Sequence, residues 1–217
     1  MRISKSLFFS ASFVLAFLMA CSNPGTAQQP KTAEQLEGYS RAYFASGCFW
    51  CVEAIFQSVK GVEEAISGYS GGLIKDPSYR LVSSGQTRHA EAVEVYYDPK
   101  VVSYETLVKV FFGSHDPTTL NRQGPDRVPQ YRSVIYYLNA DEKAIAEKAI
   151  ADLTASKVWP DPIVTEVVPF EIFYKAEDYH QEYEALHPDQ PYVRSVSIPR
   201  LNRFKAKFPE LLKDEAH

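Results

Sequence analysis

The order in which predicted strands and helices follow one another limits the possible folds of this chain more than any other sequence feature. Short alternating or apolar runs predict strands at 41–44, 65–69, 90–97, 132–138 and 163–168. Apolar residues at helical spacing predict helices at 48–58, 104–112, 140–156 and 177–186. Strands and helices follow one another without strict alternation, which disfavours a parallel sheet with helices on both faces.

The predicted fold class is therefore α+β. We expect a single two-layer catalytic domain at 41–217, with a mainly antiparallel, ferredoxin-like sheet and helices packed on it. Long irregular loops are predicted at 114–130 and in the C-terminal tail after residue 186, which contains four prolines. Loops of this length in a compact domain usually carry function.

The first twenty residues have the pattern of an export signal. Arg2 and Lys5 precede an apolar run of thirteen residues, from Leu7 to Met19, that only serines interrupt. This run is too short to cross a bilayer core of about 30 Å and has the length of a signal-peptide core. A buried N-terminal helix is the alternative, but it does not explain a charged start followed by an abrupt polar end.

The apolar run ends in Leu18-Met19-Ala20-Cys21, which resembles a bacterial lipobox. That resemblance implies that 1–20 is a lipoprotein signal peptide and that Cys21 becomes the lipidated first residue of the mature chain. Residues 21–40 then form a flexible tether. We therefore expect an exported, membrane-anchored lipoprotein of the bacterial cell envelope, on its periplasmic or outer-membrane side.

The charge of the chain excludes one class of partner. Its formal net charge is −4, and it contains no basic run. Nucleic-acid-binding domains carry a positively charged patch that contacts phosphates. We therefore expect no nucleic-acid partner.

Two of the three cysteines lie three positions apart, in Cys48-Phe49-Trp50-Cys51. They could be a structural staple, part of a metal site, a catalytic redox pair or inert core residues. A staple is disfavoured because closing a loop of two intervening residues constrains the unfolded chain little. No metal site is expected, because the histidines are scattered singly and form no pair at ligand spacing.

The predicted position of Cys48 at the start of a helix favours a catalytic role. Backbone N–H groups and the positive end of the helix dipole stabilise a thiolate there, which lowers the pKa of the thiol. Residues at i and i+3 also reach the Cα separation of about 4.4 to 6.8 Å that a disulfide needs. Cys51 can therefore capture an oxidised Cys48. A thioredoxin-like oxidoreductase would have the same pattern, so the cysteines alone do not select a reaction.

Glu91 is a candidate proton donor. In the predicted strand 90–97, alternation places Glu91 on the same face as Val93, Val95 and Tyr97. Burial on such a face raises the pKa of a carboxyl group and keeps it protonated. The alternative is a solvated glutamate, because Glu91 lies near the end of its strand.

Nine motifs occur in the order found in one enzyme family, the A-type peptide methionine sulfoxide reductases, which the chain resembles from about Tyr43 to Tyr192. They are GCFW (47–50), GYSGG (68–72), PSY (77–79), HAEAVEVYYDP (89–99), HDPTT (115–119), NRQGPD (121–126), QYRSVIYY (130–137), DPIVTEV (161–167) and DYHQEY (178–183). The chain would be a lipoprotein form of this family with a CxxC active site.

The resemblance implies a set of catalytic roles. The Cys48 thiolate would attack the sulfur of methionine sulfoxide. Glu91 would give a proton to the sulfoxide oxygen, which the hydroxyl groups of Tyr79 and Tyr131 would hold. Without the resemblance, core packing would be the ordinary role of both tyrosines.

The resemblance also assigns roles to the residues around the catalytic groups. Phe49 and Trp50 would bind substrate as the walls of an apolar pocket for its S-methyl group. Asp126, in the long loop, would help to hold the residues of the site in their active arrangement. Core packing is the ordinary role of a Phe-Trp pair, and a loop aspartate is ordinarily solvated.

Release of methionine would leave Cys48 as a sulfenic acid. The chain has no cysteine near its C-terminus, so Cys51 is the expected resolving thiol. Thioredoxin or a thioredoxin-like protein would then reduce the Cys48–Cys51 disulfide as electron donor, and no bound cofactor is expected. Arg88 stands where relatives commonly carry glycine, and its charge would favour the ionised form of Glu91.

The implied function is reduction of the S epimer of methionine sulfoxide, peptide-bound and free, for repair of oxidised envelope proteins. The expected partners are proteins and peptides that carry methionine sulfoxide, the reductant and the membrane, and we expect a monomer. A general envelope thiol–disulfide oxidoreductase is the competing enzyme, and it would have no use for Glu91. A lipoprotein that only binds apolar ligands is the competing non-enzyme, and it would not need the Cys48 thiol.

Overall fold

The computed structural model describes residues 31–214. The strands are β1 (Ser40–Ser46), β2 (Val62–Ser70), β3 (Ala90–Tyr97), β4 (Ser133–Tyr137), β5 (Glu166–Pro169) and β6 (Phe173–Lys175). The helices are α1 (Phe49–Gln57), α2 (Tyr79–Ser83), α3 (Tyr104–Gly113), α4 (Ala140–Ser156), α5 (Tyr183–Leu186) and α6 (Ile198–Lys207). Three-residue 3-10 turns and a π-helical turn at Val193–Ser197 connect some of them.

The strands form one sheet in the order β5-β4-β1-β3-β2-β6. The inner pairs and the β2–β6 pair are antiparallel, whereas β4 and β5 pair in parallel. The sheet is therefore mixed, and the expectation of a mainly antiparallel, ferredoxin-like sheet is wrong. The strand predicted at 163–168 overlaps β5, but no pattern indicated that it runs parallel to β4, and β6 is only three residues long, too short for a reliable periodic signal.

Helices cover one face of the sheet and enclose the larger core. Phe44 and Ile135 of the sheet are fully buried there together with Phe56 of α1 and Phe111 of α3. The opposite face is covered by the chain around β5 and β6, where the ring of Phe170 stacks on Tyr43 with centroids 3.8 Å apart. This arrangement confirms a single α+β domain.

The largest difference from the sequence prediction lies after residue 186. The tail was expected to be irregular, but it contains α6, whose Phe204 is buried in the main core. Pro199 is the second residue of α6, which directly follows the π-helical turn at Val193–Ser197. The helical segment therefore continues across a proline that was expected to lie in irregular structure.

The predicted helix at 177–186 is also interrupted. Glu182 has a φ of +54°, which separates a 3-10 turn at Asp178–His180 from α5. The left-handed backbone at Glu182 ends one helical segment before the next begins. The turn and α5 both contact the helix that carries the two cysteines.

Part of the predicted tether is described and contacts the domain. Lys31 forms an ion pair with Glu63, and Leu36 is buried. The predicted signal peptide and Cys21 lie outside the described residues. Within 31–214, no helix is long and apolar enough to cross a membrane.

Candidate active site

Cys48 lies where the chain reverses between β1 and α1. Gly47 has a φ of +96°, and α1 begins at Phe49 with Cys48 as its N-cap residue. A Cβ atom on Gly47 would lie 2.7 Å from the Gln123 side chain, so both the backbone angle and the available space favour glycine. The turn places Cys48 at the amino end of α1, close to the predicted helix start.

A cavity of about 240 Å³ adjoins this turn. It is lined by Cys48, Phe49, Trp50, Tyr79, Glu91, Asp126, Tyr131, Gln190 and Tyr192. The first seven of these residues were singled out from the sequence. Cys51, the remaining candidate, lies one helical turn after Cys48 and is buried without lining the cavity.

Glu91 is held at the floor of the site by two hydrogen bonds. The backbone N–H of Phe49 donates to Oε2 at 3.1 Å, and Nε2 of Gln130 donates to Oε1 at 3.1 Å. Glu91 is only 1% exposed, and this burial raises its pKa to about 8. The carboxyl group is therefore protonated at neutral pH, and the solvated alternative does not apply.

Tyr79 and Tyr131 present hydroxyl groups to the cavity. Within residues 31–214, neither hydroxyl group forms a hydrogen bond to another protein group. Burial raises the pKa of Tyr79 to about 12 and raises that of Tyr131 further. Both groups therefore stay protonated and can donate to an oxygen atom of a bound ligand.

Phe49 and Trp50 form the aromatic part of the lining. The ring of Phe49 packs against His180, with centroids 4.9 Å apart. The indole Nε1 of Trp50 donates to Nδ1 of His180 at 3.2 Å, and its ring stacks on Tyr183 at 3.7 Å. These contacts fix the orientation of Trp50, so the pocket wall is formed before a ligand arrives.

Asp126 interacts with a tyrosine that the sequence reading did not single out. The Tyr192 hydroxyl donates to Oδ2 of Asp126 at 2.6 Å. Burial raises the pKa of Asp126, while this hydrogen bond opposes the rise. Asp126 thus orients Tyr192, whose hydroxyl also lies near both thiols and acts to lower the pKa of each.

The two thiols interact with each other, and both are free of disulfides. Burial raises the pKa of Cys48. The pKa of Cys51 is lowered to about 6, first because the Cys48 thiol donates to its thiolate, and also because of the nearby Arg200 guanidinium. The expected lowering at Cys48 is therefore wrong for the free enzyme, since burial outweighs the helix terminus.

Arg88 does not act on Glu91 as expected. Its side chain is exposed, and the charges that most raise the pKa of Glu91 are those of Asp126 and Cys51. The backbone of Arg88 has a φ of +62°, a conformation that favours glycine. Backbone geometry thus accounts for the glycine expected in relatives.

Several residues of the site were not predicted from the sequence. Gln130 and His180 lie inside the motifs QYRSVIYY and DYHQEY, so their motif membership was a usable signal. Gln190 and Tyr192 lie in the tail that was expected to be irregular, and no local pattern marked them.

A family model described as peptide methionine sulfoxide reductase matches residues 40–212. The chain belongs to the peptide methionine sulfoxide reductase family. The matched range contains every residue that lines the cavity around Cys48.

Relatives of this reductase support the same assignment. The peptide methionine sulfoxide reductase MsrA of Polynucleobacter asymbioticus is 46% identical over 181 residues, which cover 83% of this chain and 95% of the relative. The MsrA of Pasteurella multocida is 49% identical over 173 residues, which cover 80% of this chain and 98% of the relative. The chain is accordingly an oxidoreductase of the MsrA type.

Solved structures share the fold of the reductase. Reduced Mxr1 from Saccharomyces cerevisiae matches with a TM-score of 0.65 and 33% identity, over 69% of this chain and 86% of that structure. Methionine sulfoxide reductase A of Corynebacterium diphtheriae matches with a TM-score of 0.63 and 35% identity, over 70% of this chain and 76% of that structure.

Proposed function

We propose that this reductase acts on the S epimer of methionine sulfoxide, peptide-bound and free, through a Cys48 sulfenic acid and a Cys48–Cys51 disulfide. One observation carries the proposal. A single cavity brings Cys48 together with a protonated Glu91 and the hydroxyl groups of Tyr79 and Tyr131, which have no protein partner among the described residues. Nucleophile, acid and oxygen-binding donors are the groups that sulfoxide reduction needs.

In the first step, the Cys48 proton moves to the Cys51 thiolate, and the Cys48 thiolate attacks the sulfoxide sulfur. The sulfoxide oxygen gains negative charge as the S–O bond breaks. Tyr79 and Tyr131 donate hydrogen bonds to this oxygen, and Glu91 gives it a proton. The oxygen, now a hydroxyl group, passes to the Cys48 sulfur as the transient bond between the two sulfurs breaks. Methionine leaves with two more electrons on its sulfur, and Cys48 becomes a sulfenic acid.

The aromatic wall selects the substrate. Phe49 and Trp50 provide an apolar surface that accommodates a methyl group on sulfur. The hydrogen bond from Trp50 to His180 keeps the indole in place. Preformed walls of this kind lower the entropy lost on binding.

In the second step, Cys51 attacks the sulfenic sulfur of Cys48, which forms the disulfide and releases water. The position of the two cysteines one helical turn apart supports this assignment. A dithiol protein must then supply two electrons and two protons, because the thiols of Cys48 and Cys51 have both been consumed. We assign that role to thioredoxin or a thioredoxin-like protein, without a bound cofactor.

We further propose that the enzyme is a monomeric, exported lipoprotein, anchored through Cys21, that repairs oxidised proteins of the bacterial envelope. The support is the charged, apolar and polar order of the first twenty residues and the sequence Leu18-Met19-Ala20-Cys21. Metabolic labelling with a radioactive fatty acid tests the anchor. Label in the natural chain that is lost in Cys21→Ala is expected, and equal labelling of both would contradict it.

The catalytic proposal is tested with the purified, reduced enzyme and separate S and R epimers of a methionine sulfoxide peptide. Consumption of the S epimer alone is expected. Cys48→Ser should be inactive, and Cys51→Ser should complete one turnover but fail to cycle with thioredoxin. An enzyme that reduces insulin disulfides but neither epimer would instead be a general thiol–disulfide oxidoreductase.

A further inference from the structure

A buried hydroxyl group and a buried carboxyl group lie beside Cys51 but outside the substrate cavity. Ser197 is fully buried, and Glu184 is 8% exposed. The Ser197 hydroxyl donates a hydrogen bond to Oε2 of Glu184. The same hydroxyl lies near the Cys51 sulfur, where it acts to lower the pKa of that thiol. Ser197 therefore connects the Cys51 sulfur to a carboxylate.

Two structural elements hold this connection in place. Glu184 lies on α5, and Ser197 ends the π-helical turn that precedes α6. Both α5 and α6 pack on α1, which carries Cys51. The connection is thus built from three helical segments that meet at one point.

The connection also has an outlet. Glu184 lines a second cavity, of about 560 Å³, which does not include Cys48 or Glu91. A proton that reaches Glu184 can leave through this cavity without crossing the substrate pocket.

We propose that Ser197 and Glu184 form a proton relay that removes the proton of Cys51 before Cys51 attacks the Cys48 sulfenic acid. The inference rests on the proposed function, because it requires Cys51 to be the resolving thiol. Ser197 lies beside the reacting thiol, whereas Glu184 acts through Ser197.

The reaction sequence creates the need for such a relay. Cys51 accepts the Cys48 proton in the first step, so it enters the second step as a thiol. The thiol donor of Cys48, which most lowers the pKa of Cys51 in the free enzyme, no longer exists in the sulfenic acid. Burial then opposes ionisation of Cys51, and a base becomes useful.

The proton and electron balance is simple. The Cys51 S–H proton passes to the Ser197 oxygen as the Ser197 proton passes to the Glu184 carboxylate. The Cys51 thiolate then forms a bond to the Cys48 sulfur, and the S–O bond of the sulfenic acid breaks. Glu91, which has taken up a new proton from solvent after the first step, protonates the departing oxygen, which leaves as water. In the disulfide, each of the two cysteine sulfurs is oxidised by one electron relative to a thiol.

The surroundings of Glu184 suit a base that works near neutrality. Burial raises its pKa to about 7. Cys51 on α1 adds to this rise, whereas Lys205 and Arg200 on α6 oppose it. Glu53 and Glu182 line the same second cavity and complete the charged groups on that side.

The relay is tested in a single turnover of the full-length reduced enzyme with one equivalent of S-epimer peptide. Methionine release reports the first step, and rapid alkylation followed by mass spectrometry reports loss of thiols to the disulfide. In Glu184→Gln, disulfide formation is expected to slow about 100-fold near pH 7, with methionine release unchanged. The natural enzyme is expected to show an ionisation near pH 7 in the disulfide step that this variant lacks.

Two further variants keep the test decisive. Ser197→Ala interrupts the relay without touching the carboxyl group, and it is expected to slow the same step. Glu182→Gln is the matched control, because Glu182 lines the same cavity but bonds to Gln57 instead of Ser197. It is expected to form the disulfide at the natural rate.

The outcomes separate the relay from the function on which it rests. If the natural enzyme releases methionine but never forms the Cys48–Cys51 disulfide, both the resolving role of Cys51 and the relay are wrong. If folded Glu184→Gln and Ser197→Ala form the disulfide at the natural rate and with the natural pH profile, the relay alone is wrong.

Discussion

A backbone hydrogen bond links the position of Glu91 to that of Cys48. The N–H group that donates to Glu91 belongs to Phe49, the residue after the nucleophile. Movement of the β1–α1 turn would therefore displace the acid and the nucleophile together. A neutral carboxyl group still accepts this bond, so Glu91 keeps its place in the protonated state that catalysis requires.

Replacing Glu91 by glutamine tests its role as proton donor. Glu91→Gln keeps an acceptor for Phe49 but has no acidic proton, so methionine formation is expected to fall about 100-fold or more. Activity of the natural enzyme is expected to decline above about pH 8 as Glu91 loses its proton, and the variant is expected to lack this limb. Rates of methionine release between pH 6 and about 9.5 measure both effects.

Glu94→Gln is the matched control for that experiment. Glu94 lies on the same strand but on the opposite face, where Tyr43 donates to it. Its replacement is expected to leave the rate and its pH profile unchanged. An equal loss of rate in both variants would point to damage of β3 and not to loss of a proton donor.

The Tyr192 hydroxyl is expected to assist the thiols. Tyr192→Phe removes the donor to Asp126 and the hydroxyl group near the two thiols, and kcat/KM is expected to fall about tenfold. Tyr183→Phe is the control, because Tyr183 contacts Trp50 through its ring, which phenylalanine retains. A Tyr192→Phe enzyme with natural kcat/KM would remove this hydroxyl from the mechanism.

The residues that sequence reasoning identified share a local signal. Cys48 lies at a helix start, and Glu91 lies on the apolar face of a strand, so short-range patterns revealed both. Ser197 and Glu184 carry no such signal. They are 13 residues apart, in segments without clear periodicity, and act only because α5 and α6 converge on α1. Tertiary packing brings them to the site.

Among the structural elements of the site, the β1–α1 turn places the strictest limit on which residue can occupy a position. Gly47→Ala would combine a left-handed backbone with a contact to Gln123, and the free energy of unfolding is expected to fall by about 2–4 kcal/mol. Gly85→Ala is the control, because Gly85 has a φ of +74° but open space around its Cα atom. It is expected to cost only about 1–2 kcal/mol. Urea unfolding of both variants measures the difference, and equal losses would show that the contact with Gln123 is harmless.

The sequence of helix α6 contains an apolar pattern at helical spacing, which was not recognised because the surrounding tail is rich in proline. Leu201, Phe204 and Phe208 follow Ile198 at spacings of three and four residues, which is a helical pattern. The helix also supports the turn, because Arg200 donates to the carbonyl oxygens of Ser46 and Ser114. The parallel pairing of β4 with β5 carried no such signal, since strand direction depends on the path of the intervening chain.

For the whole molecule, buried ionisable groups make stability depend on pH. The pKa values of Glu53 and Glu91 are raised to about 8 and that of Glu184 to about 7, against 4.5 in the unfolded chain. The folded protein therefore keeps protons that the unfolded chain releases, and stability falls as pH rises from about 5 to 8. Two groups act in the opposite sense. Burial lowers the pKa of His115 to about 3, so its neutral folded form loses stability as pH falls below about 6.5. The pKa of Cys51 is lowered to about 6, so its thiolate adds stability as pH rises from about 6 to 9, but the three carboxyl groups together outweigh this gain.

These effects place the stability maximum on the mildly acidic side of neutrality. The free energy of unfolding is expected to be lower at pH 8.5 than at pH 5.5 by on the order of 2 kcal/mol or more. Urea unfolding across this range measures it, and Glu91→Gln is expected to flatten the curve. A natural protein that is more stable at pH 8.5 would mean that the buried carboxyl groups are ionised when folded.

The confinement of both thiols to one turn of α1 has a mechanical consequence. With Cys51 as the proposed resolving thiol, no distant segment has to move across the molecule to bring a second sulfur to Cys48, so we expect oxidation to change the outline of the protein very little. A catalyst of this kind can work when its freedom is restricted, for example when it is immobilised on a solid support. Crystals of the protein are expected to survive alternate soaks in sulfoxide and dithiol without cracking.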